Sequence, residues 1–216
     1  DLVRSRGLGD VYKRQEQEPE DRVVSGSREL GVLRRVPASA RGYDVLRVRD
    51  FLARAQASLK TLREGGSYPE LSSAEVREIV FPAQDGGYDA ETVDALMDEV
   101  EDELAAAERA RLDAVRGPDA VRQRAEPLAD LIMGRLNRPD GRRFRRPARR
   151  RDIGYLAADV DALCAQLAEH LRVSEHPHPG AVRTAAFREG TGTRAYDEAQ
   201  VDAFLERAQE LIQLIR

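Results

Sequence analysis

Apolar positions along this chain recur with a helical period four times, each time behind a tyrosine: Tyr43, Tyr88, Tyr155 and Tyr196. Five residues past each tyrosine stands a valine: Val48, Val93, Val160 and Val201. Eight past it come Phe51, Leu96, Leu163 and Phe204, and nine past it Leu52, Met97, Cys164 and Leu205. The register continues through Ala55, Val100, Leu167 and Ala208 to Leu59, Leu104, Leu171 and Ile212. Steps of three and four place all of these side chains on one stripe of a 3.6-residue helix. The pattern therefore predicts four amphipathic helices, the longest from Ala90 to Arg116.

The segment opening each helix has its own chemistry. Gly42-Tyr43-Asp44 and Gly87-Tyr88-Asp89 pair a residue that permits sharp reversal with an N-capping carboxylate. Tyr196-Asp197 keeps the cap, and Gln200 gives it capping-box spacing. Gly154-Tyr155 is followed by Leu156, so the third helix lacks a side-chain cap. Short amphipathic segments precede two of the openings, Val76 to Phe81 and Val182 to Phe187. The tyrosines lie 45, 67 and 41 residues apart, so the units group as two pairs, which reads as a duplicated two-unit module. The expected fold is all-α, built from repeated short-helix, turn, long-helix units in modules at 29–116 and 153–216. Residues 117–152 hold Pro118, Pro127, Pro139 and Pro147 and read as a Pro/Arg-rich linker with one short helix near 119–136. Residues 1–28 are set aside: 1–15 resemble translated sequencing adapter, and 16–28 are polar, without apolar period, and expected to be disordered.

Charge changes this picture only locally. The chain carries 34% charged residues, a formal charge of −4 and one cysteine, which excludes an internal disulfide framework and a multi-cysteine zinc site. No apolar run reaches the ~20 residues of a spanning helix, so a cytoplasmic protein is expected. Basic residues are nearly all arginine, read as codon bias of a GC-rich genome. From Asp85 to Ala107 there are nine acids and no base, and from Arg138 to Arg151 there are eight arginines. Arg142, Arg143, Arg145, Arg146, Arg149, Arg150 and Arg151, with Arg41 further upstream, are the candidate anion or membrane contacts, set against solvated faces that attract one another. Nucleic acid is not expected, because the chain is net acidic and Phe144 is the only aromatic in the arginine run. Catalysis has no constellation to rest on. His176 and His178 sit in a proline-rich turn that reads as plain loop, and Cys164 occupies a stripe position. No cofactor, metal or enzymatic activity is therefore expected.

Phe81-x6-Tyr88-Asp89 followed by Val93-Asp94-Ala95-Leu96-Met97, and Tyr196-Asp197 followed by Val201-Asp202-Ala203-Phe204-Leu205, resemble the DivIVA-type domain of Gram-positive polar and division-site scaffolds. The chain looks like actinobacterial proteins that carry several such repeats. The resemblance covers about 30–116 and 150–216 and implies a helical scaffold or adaptor for cell division or polar growth. Its partners would be other DivIVA-type proteins or a second copy, bound by helix pairing. Family scaffolds also touch curved anionic membrane through a phenylalanine and an arginine just before the Gly-Tyr-Asp turn. Arg41 stands at that arginine's position and Ala40 at the phenylalanine's. The alternative implied is a peripheral protein at the inner membrane face, using its arginine-rich linker on anionic lipid.

Overall fold

The computed structural model describes residues 21–25, 28–66, 68–117, 119–174 and 177–216. The reading of residues 1–15 lies outside them. The chain is mostly helical, but small antiparallel sheets replace the all-α expectation. An opening hairpin, β1 (Asp21–Ser25) and β2 (Arg28–Leu33), starts inside the stretch 16–28 expected to be disordered. Then follow β3 (Arg41–Tyr43), α1 (Val45–Arg63), α2 (Ser73–Arg77), β4 (Ala83–Asp85) and α3 (Ala90–Arg116). After α4 (Asp119–Leu136) the same order returns: β5 (Ile153–Leu156), α5 (Ala157–Val173), α6 (Gly180–Arg183), β6 (Glu189–Thr191), β7 (Ala195–Tyr196) and α7 (Glu198–Ile215).

The strands lie where the turns were expected, at the tyrosine openings. β3 pairs antiparallel with β4, and Tyr43 and Tyr88 exchange two backbone hydrogen bonds of 2.8 Å. In the second module β5 pairs with β6 on one side and β7 on the other, setting Tyr155 opposite Tyr196. The opening of one unit is thus clasped to that of its sister. Glycine serves this clasp differently from expectation, since neither Gly42 nor Gly154 has positive φ. Instead, a Cβ on Gly42 would stand 2.2 Å from the Tyr88 carbonyl oxygen, and one on Gly154 2.1 Å from that of Tyr196. Close backbone approach is what selects glycine at both places.

Behind the clasps, the stripes meet. Val48, Phe51, Leu52, Val93, Leu96 and Met97 are buried in a first core with Leu33, Phe81 and Tyr88. Val160, Cys164, Val201 and Phe204 are buried in a second with Ile132, Phe144 and Tyr196, and Leu205 packs half-buried against it. Leu163 is only half-buried, and Asp161 takes an interior place on the same helix. Capping follows the aspartates: Asp44 accepts from Arg47 N at 2.9 Å, Asp89 from Thr92 N at 2.9 Å and Asp197 from Gln200 N at 3.1 Å. Leu156 provides no side-chain cap for α5. The capping box expected at Asp197 is absent, because the Gln200 carbonyl accepts from Arg145 N instead; Ser72 and Glu75 form one on α2.

The linker reading of 117–152 is corrected in the same way. Its short helix is α4, as expected, but α4 packs on α7 and α5, and Ile132, Leu136 and Phe144 are core residues. The segment also repeats an earlier one. Leu33-Arg34-Arg35 and Phe144-Arg145-Arg146 each bury the first residue, and the next carbonyl accepts the capping aspartate's N–H, Asp89 to Arg34 O at 2.8 Å and Asp197 to Arg145 O at 3.0 Å. The last arginine of each then lies over the buried tyrosine ring, Arg35 on Tyr88 and Arg146 on Tyr196. Each module therefore begins at its double arginine, eight or more residues ahead of its first tyrosine.

Gly42→Ala or Gly154→Ala should destabilise the fold by about 2 kcal/mol or more, since the added methyl can be housed only by separating two backbones. Gly134→Ala is the control: it is an exposed position of α4 with nothing within 4 Å of the added methyl, and a gain of about 0.5–1 kcal/mol is expected. Denaturant titration followed by circular dichroism measures both.

Candidate functional site

Among the described residues, polar chemistry is most concentrated at the seam between the two modules. Here α3 meets α7, and Glu101, 2% exposed, lies at the centre. Thirteen residues past its tyrosine, Glu101 is the counterpart of Gln209 in the second module, and the two side chains touch: Gln209 Nε2 donates to both carboxylate oxygens at 2.9 Å. Arg77 Nε donates to Glu101 at 2.8 Å and Arg183 Nη2 at 2.8 Å. These arginines are also counterparts, each following a buried valine and standing four residues before a phenylalanine, Val76-Arg77 with Phe81 and Val182-Arg183 with Phe187. Gln213 Nε2 completes the shell at 2.7 Å, while its carbonyl oxygen accepts from Arg77 Nη2 at 3.0 Å.

One buried carboxylate thus gathers two guanidinium groups, one from each module, and two amides, both from α7. Asp102 extends the network by accepting from Arg183 at 2.6 Å and pairing with Arg216. Its carboxyl is held below the usual range because these arginine contacts outweigh its desolvation. A buried cluster of this kind fixes which arrangement of helices is allowed more than it adds net stability, because desolvating the charges offsets much of their attraction.

A second network lies inside the second module. Asp161 accepts from Arg143 Nη1 at 2.8 Å, from the Tyr196 hydroxyl at 3.0 Å and from Gly141 N at 2.7 Å. Arg143 N donates to the Tyr196 hydroxyl at 3.2 Å. Burial, followed by the charge of Asp161, pushes the Tyr196 phenol up to about 12. Cys164 is buried beside this network, and burial raises its thiol to about 12, which leaves it in the unreactive protonated form at neutral pH.

The candidate anion contacts divide accordingly. Arg143 is buried in its ion pairs with Asp161 and Asp140. Arg145 pairs with Asp197 while remaining exposed, and Arg146 donates to the Ala195 carbonyl at 3.1 Å. These three brace the tyrosine clasp. Arg142, Arg149, Arg150 and Arg151 are exposed, with no side-chain partner among the described residues. Arg41 is exposed and stands 3.9 Å from Asp85. Among the described residues the ion pairs do not join the two runs: those of the acidic run include Arg41, Arg63, Arg77, Arg183 and Arg216, and those of the arginine run Asp140, Asp161 and Asp197. His176 lies outside the described residues, while His178 N donates to His170 Nε2.

Sequence reasoning did not single out Glu101, Asp161, Gln209 or the arginine pair. The repeated Val-Arg-x3-Phe could have flagged Arg77 and Arg183, but nothing local marks Glu101 among its eight acidic neighbours. No family model, curated protein or solved structure matches the chain.

Removing the central carboxylate by Glu101→Ala leaves two guanidinium groups facing each other at a buried seam. A loss of about 3–5 kcal/mol is expected, against a smaller loss for Glu101→Gln, which keeps the hydrogen-bonding shape. Thermal unfolding of the two variants beside the parent chain checks the order.

Proposed function

We propose that this chain is a non-enzymatic helical adaptor that acts through helix pairing, of the kind its DivIVA-like repeats imply, in cell division or polar growth. The observation that supports the reading is the clasp itself. Unit one closes on unit two, and unit three on unit four, through antiparallel pairing of their tyrosine openings and burial of their stripes in one shared core per pair. Each unit is a device for holding another of its kind. The four stripes are largely spent within the chain, so a partner would dock on the outer helix faces or displace a sister unit.

Co-purification and light scattering with an actinobacterial DivIVA-type scaffold test this reading. The expected outcome is a stoichiometric complex that Val93→Asp, which places a charge in a fully buried seam, abolishes. Absence of any complex at micromolar concentrations would overturn it.

A second reading, peripheral contact with anionic membrane, is favoured by one patch. Ile153 is 57% exposed at the start of β5, separated only by Asp152 from Arg149, Arg150 and Arg151, which have no side-chain partner among the described residues. An exposed aliphatic group beside several exposed arginines suits a lipid interface. Sedimentation with vesicles containing phosphatidylglycerol should show salt-sensitive binding, lost in Arg149→Ala/Arg150→Ala/Arg151→Ala with unchanged circular dichroism. Equal sedimentation of parent and variant would remove this reading. Among the described residues, no helix is long and apolar enough to cross a membrane.

A further inference from the structure

One turn of the second module carries charge that the clasp does not use. Arg149, Arg150 and Arg151 lead into β5 through a turn in which Arg149 N donates to the Asp152 carboxylate and Asp152 N to the Arg149 carbonyl, both at 3.0 Å. All three arginine residues are exposed, and the exposed Ile153 follows Asp152. The duplication supplies a control. Counted back from the first tyrosine of each module, their counterparts are Pro37, Ala38 and Ser39, which lead into β3 and the same kind of clasp. The clasp therefore forms with three cations at this turn or with none, and its geometry does not account for them.

The outer face of α3 diverges in the opposite sense. Glu91, Asp94, Asp98 and Glu99 lie there at helical spacing around Ala95, and all five residues are exposed. Their acidic positions correspond to Ala199, Asp202, Glu206 and Arg207 on α7, so four acids in one module stand where the other has two acids and a base. Hydrated charges of either sign need no partner, so neither face is strained as it stands; what the divergence has produced is complementarity between them. Both faces lie away from the seam. Glu91 is ten residues before Glu101, about 15 Å along α3, and the arginine turn belongs to the clasp at the start of α7, about 17 Å before Gln209. No ion pair among the described residues joins the two faces.

We propose that this chain assembles with a second copy of itself through these faces, the arginine turn of one copy docking on α3 of the next. Arg149, Arg150 and Arg151 pair with Glu91, Asp94, Asp98 and Glu99, and Ile153 rests on Ala95, whose single methyl leaves room for it. The guanidinium fork suits carboxylates set in a row, and the aliphatic contact gives the ion pairs an apolar centre. The two faces are unlike, so the contact is heterologous and passes from copy to copy, unless two copies exchange it reciprocally. Exposed ion pairs are individually weak and are screened within about 8 Å at physiological salt, so the assembly forms at micromolar concentration or above and dissolves at high salt. The proposal rests on the pairing reading above, whose partner it names, but it uses neither the clasp nor the stripes. Complex formation with a separate scaffold and self-assembly can therefore fail independently.

Sedimentation velocity of the full chain, from micromolar to submillimolar concentration, tests this at about 50 mM and about 500 mM salt. At low salt the weight-average mass is expected to rise with concentration to roughly twice that of the monomer or more, and at high salt to return to the monomer. Arg149→Glu/Arg150→Glu/Arg151→Glu and Glu91→Lys/Glu99→Lys, all at exposed positions, should each stay monomeric with unchanged circular dichroism. An equimolar mixture of the two variants should associate again, because the reversed turn meets the reversed face; lost folding could not be rescued in this way. A parent chain that stays monomeric at low salt, association that ignores salt, a variant that associates alone as the parent does, or a mixture that stays monomeric would each overturn the proposal. A monomeric parent that sediments with phosphatidylglycerol vesicles would overturn it too, and would assign the turn to lipid.

Discussion

Everything else in this protein hangs on two places where backbone meets backbone with no room for a side chain between. At Gly42 against Tyr88, and at Gly154 against Tyr196, the chain brings two helix openings together at a separation that any Cβ would forbid. The exchange of hydrogen bonds between tyrosine backbones is worth only about 1 kcal/mol per bond. Its consequence is geometric: it sets how α1 faces α3, and how α5 and α7 converge on one core with α4. Aspartates at the capping positions then start three of those helices in the correct register, and the apolar stripes bury one another. A helix of some 17–19 residues is marginal alone in water, so the clasp and the stripes need each other.

The double arginines show how a charged segment can be structural. Arg35 and Arg146 lie over buried tyrosine rings, 5.7 and 4.8 Å from the ring centres, and the carbonyls of Arg34 and Arg145 receive the N–H groups of the capping aspartates. Arginine suits the position because its planar, weakly hydrated guanidinium can stack on a ring while its N–H groups reach nearby carbonyls. What looked like one continuous basic run is thus two populations, one built into the clasp and one, Arg149 to Arg151, left at the surface beside Ile153.

Duplication also explains the seam. Related modules brought together about their third helices place equivalent residues face to face, and at the centre those residues are Glu101 and Gln209. Two glutamates there would repel one another in a desolvated site. The amide on one side converts that repulsion into a hydrogen bond, and frees the carboxylate to collect Arg77 and Arg183. The asymmetry at this one pair propagates outward: Arg77 Nε donates to Glu101, whereas Arg183 Nε stands 3.4 Å from Asp98. Divergence of two copies has therefore been used where exact symmetry would have been unfavourable.

Periodicity and capping chemistry were enough to determine the helices. Ala90 to Arg116 and the helix near 119–136 end where the pattern says they should, because a local stripe and a local cap need no distant partner to be read. The strands were not legible: β3, β4 and β6 are three residues long, and such segments become strands only when another piece of chain supplies the hydrogen bonds. The opening hairpin was missed for the same reason, and so was the packing of α4, whose apolar residues look sparse until α7 lies beside them. Glu101 is one acid among nine in sequence, and only the meeting of α3 with α7 makes it the buried centre of the seam. Local interactions wrote the helices into the chain; which charge is buried and which arginine stacks were decided by contacts between segments about fifty to a hundred residues apart.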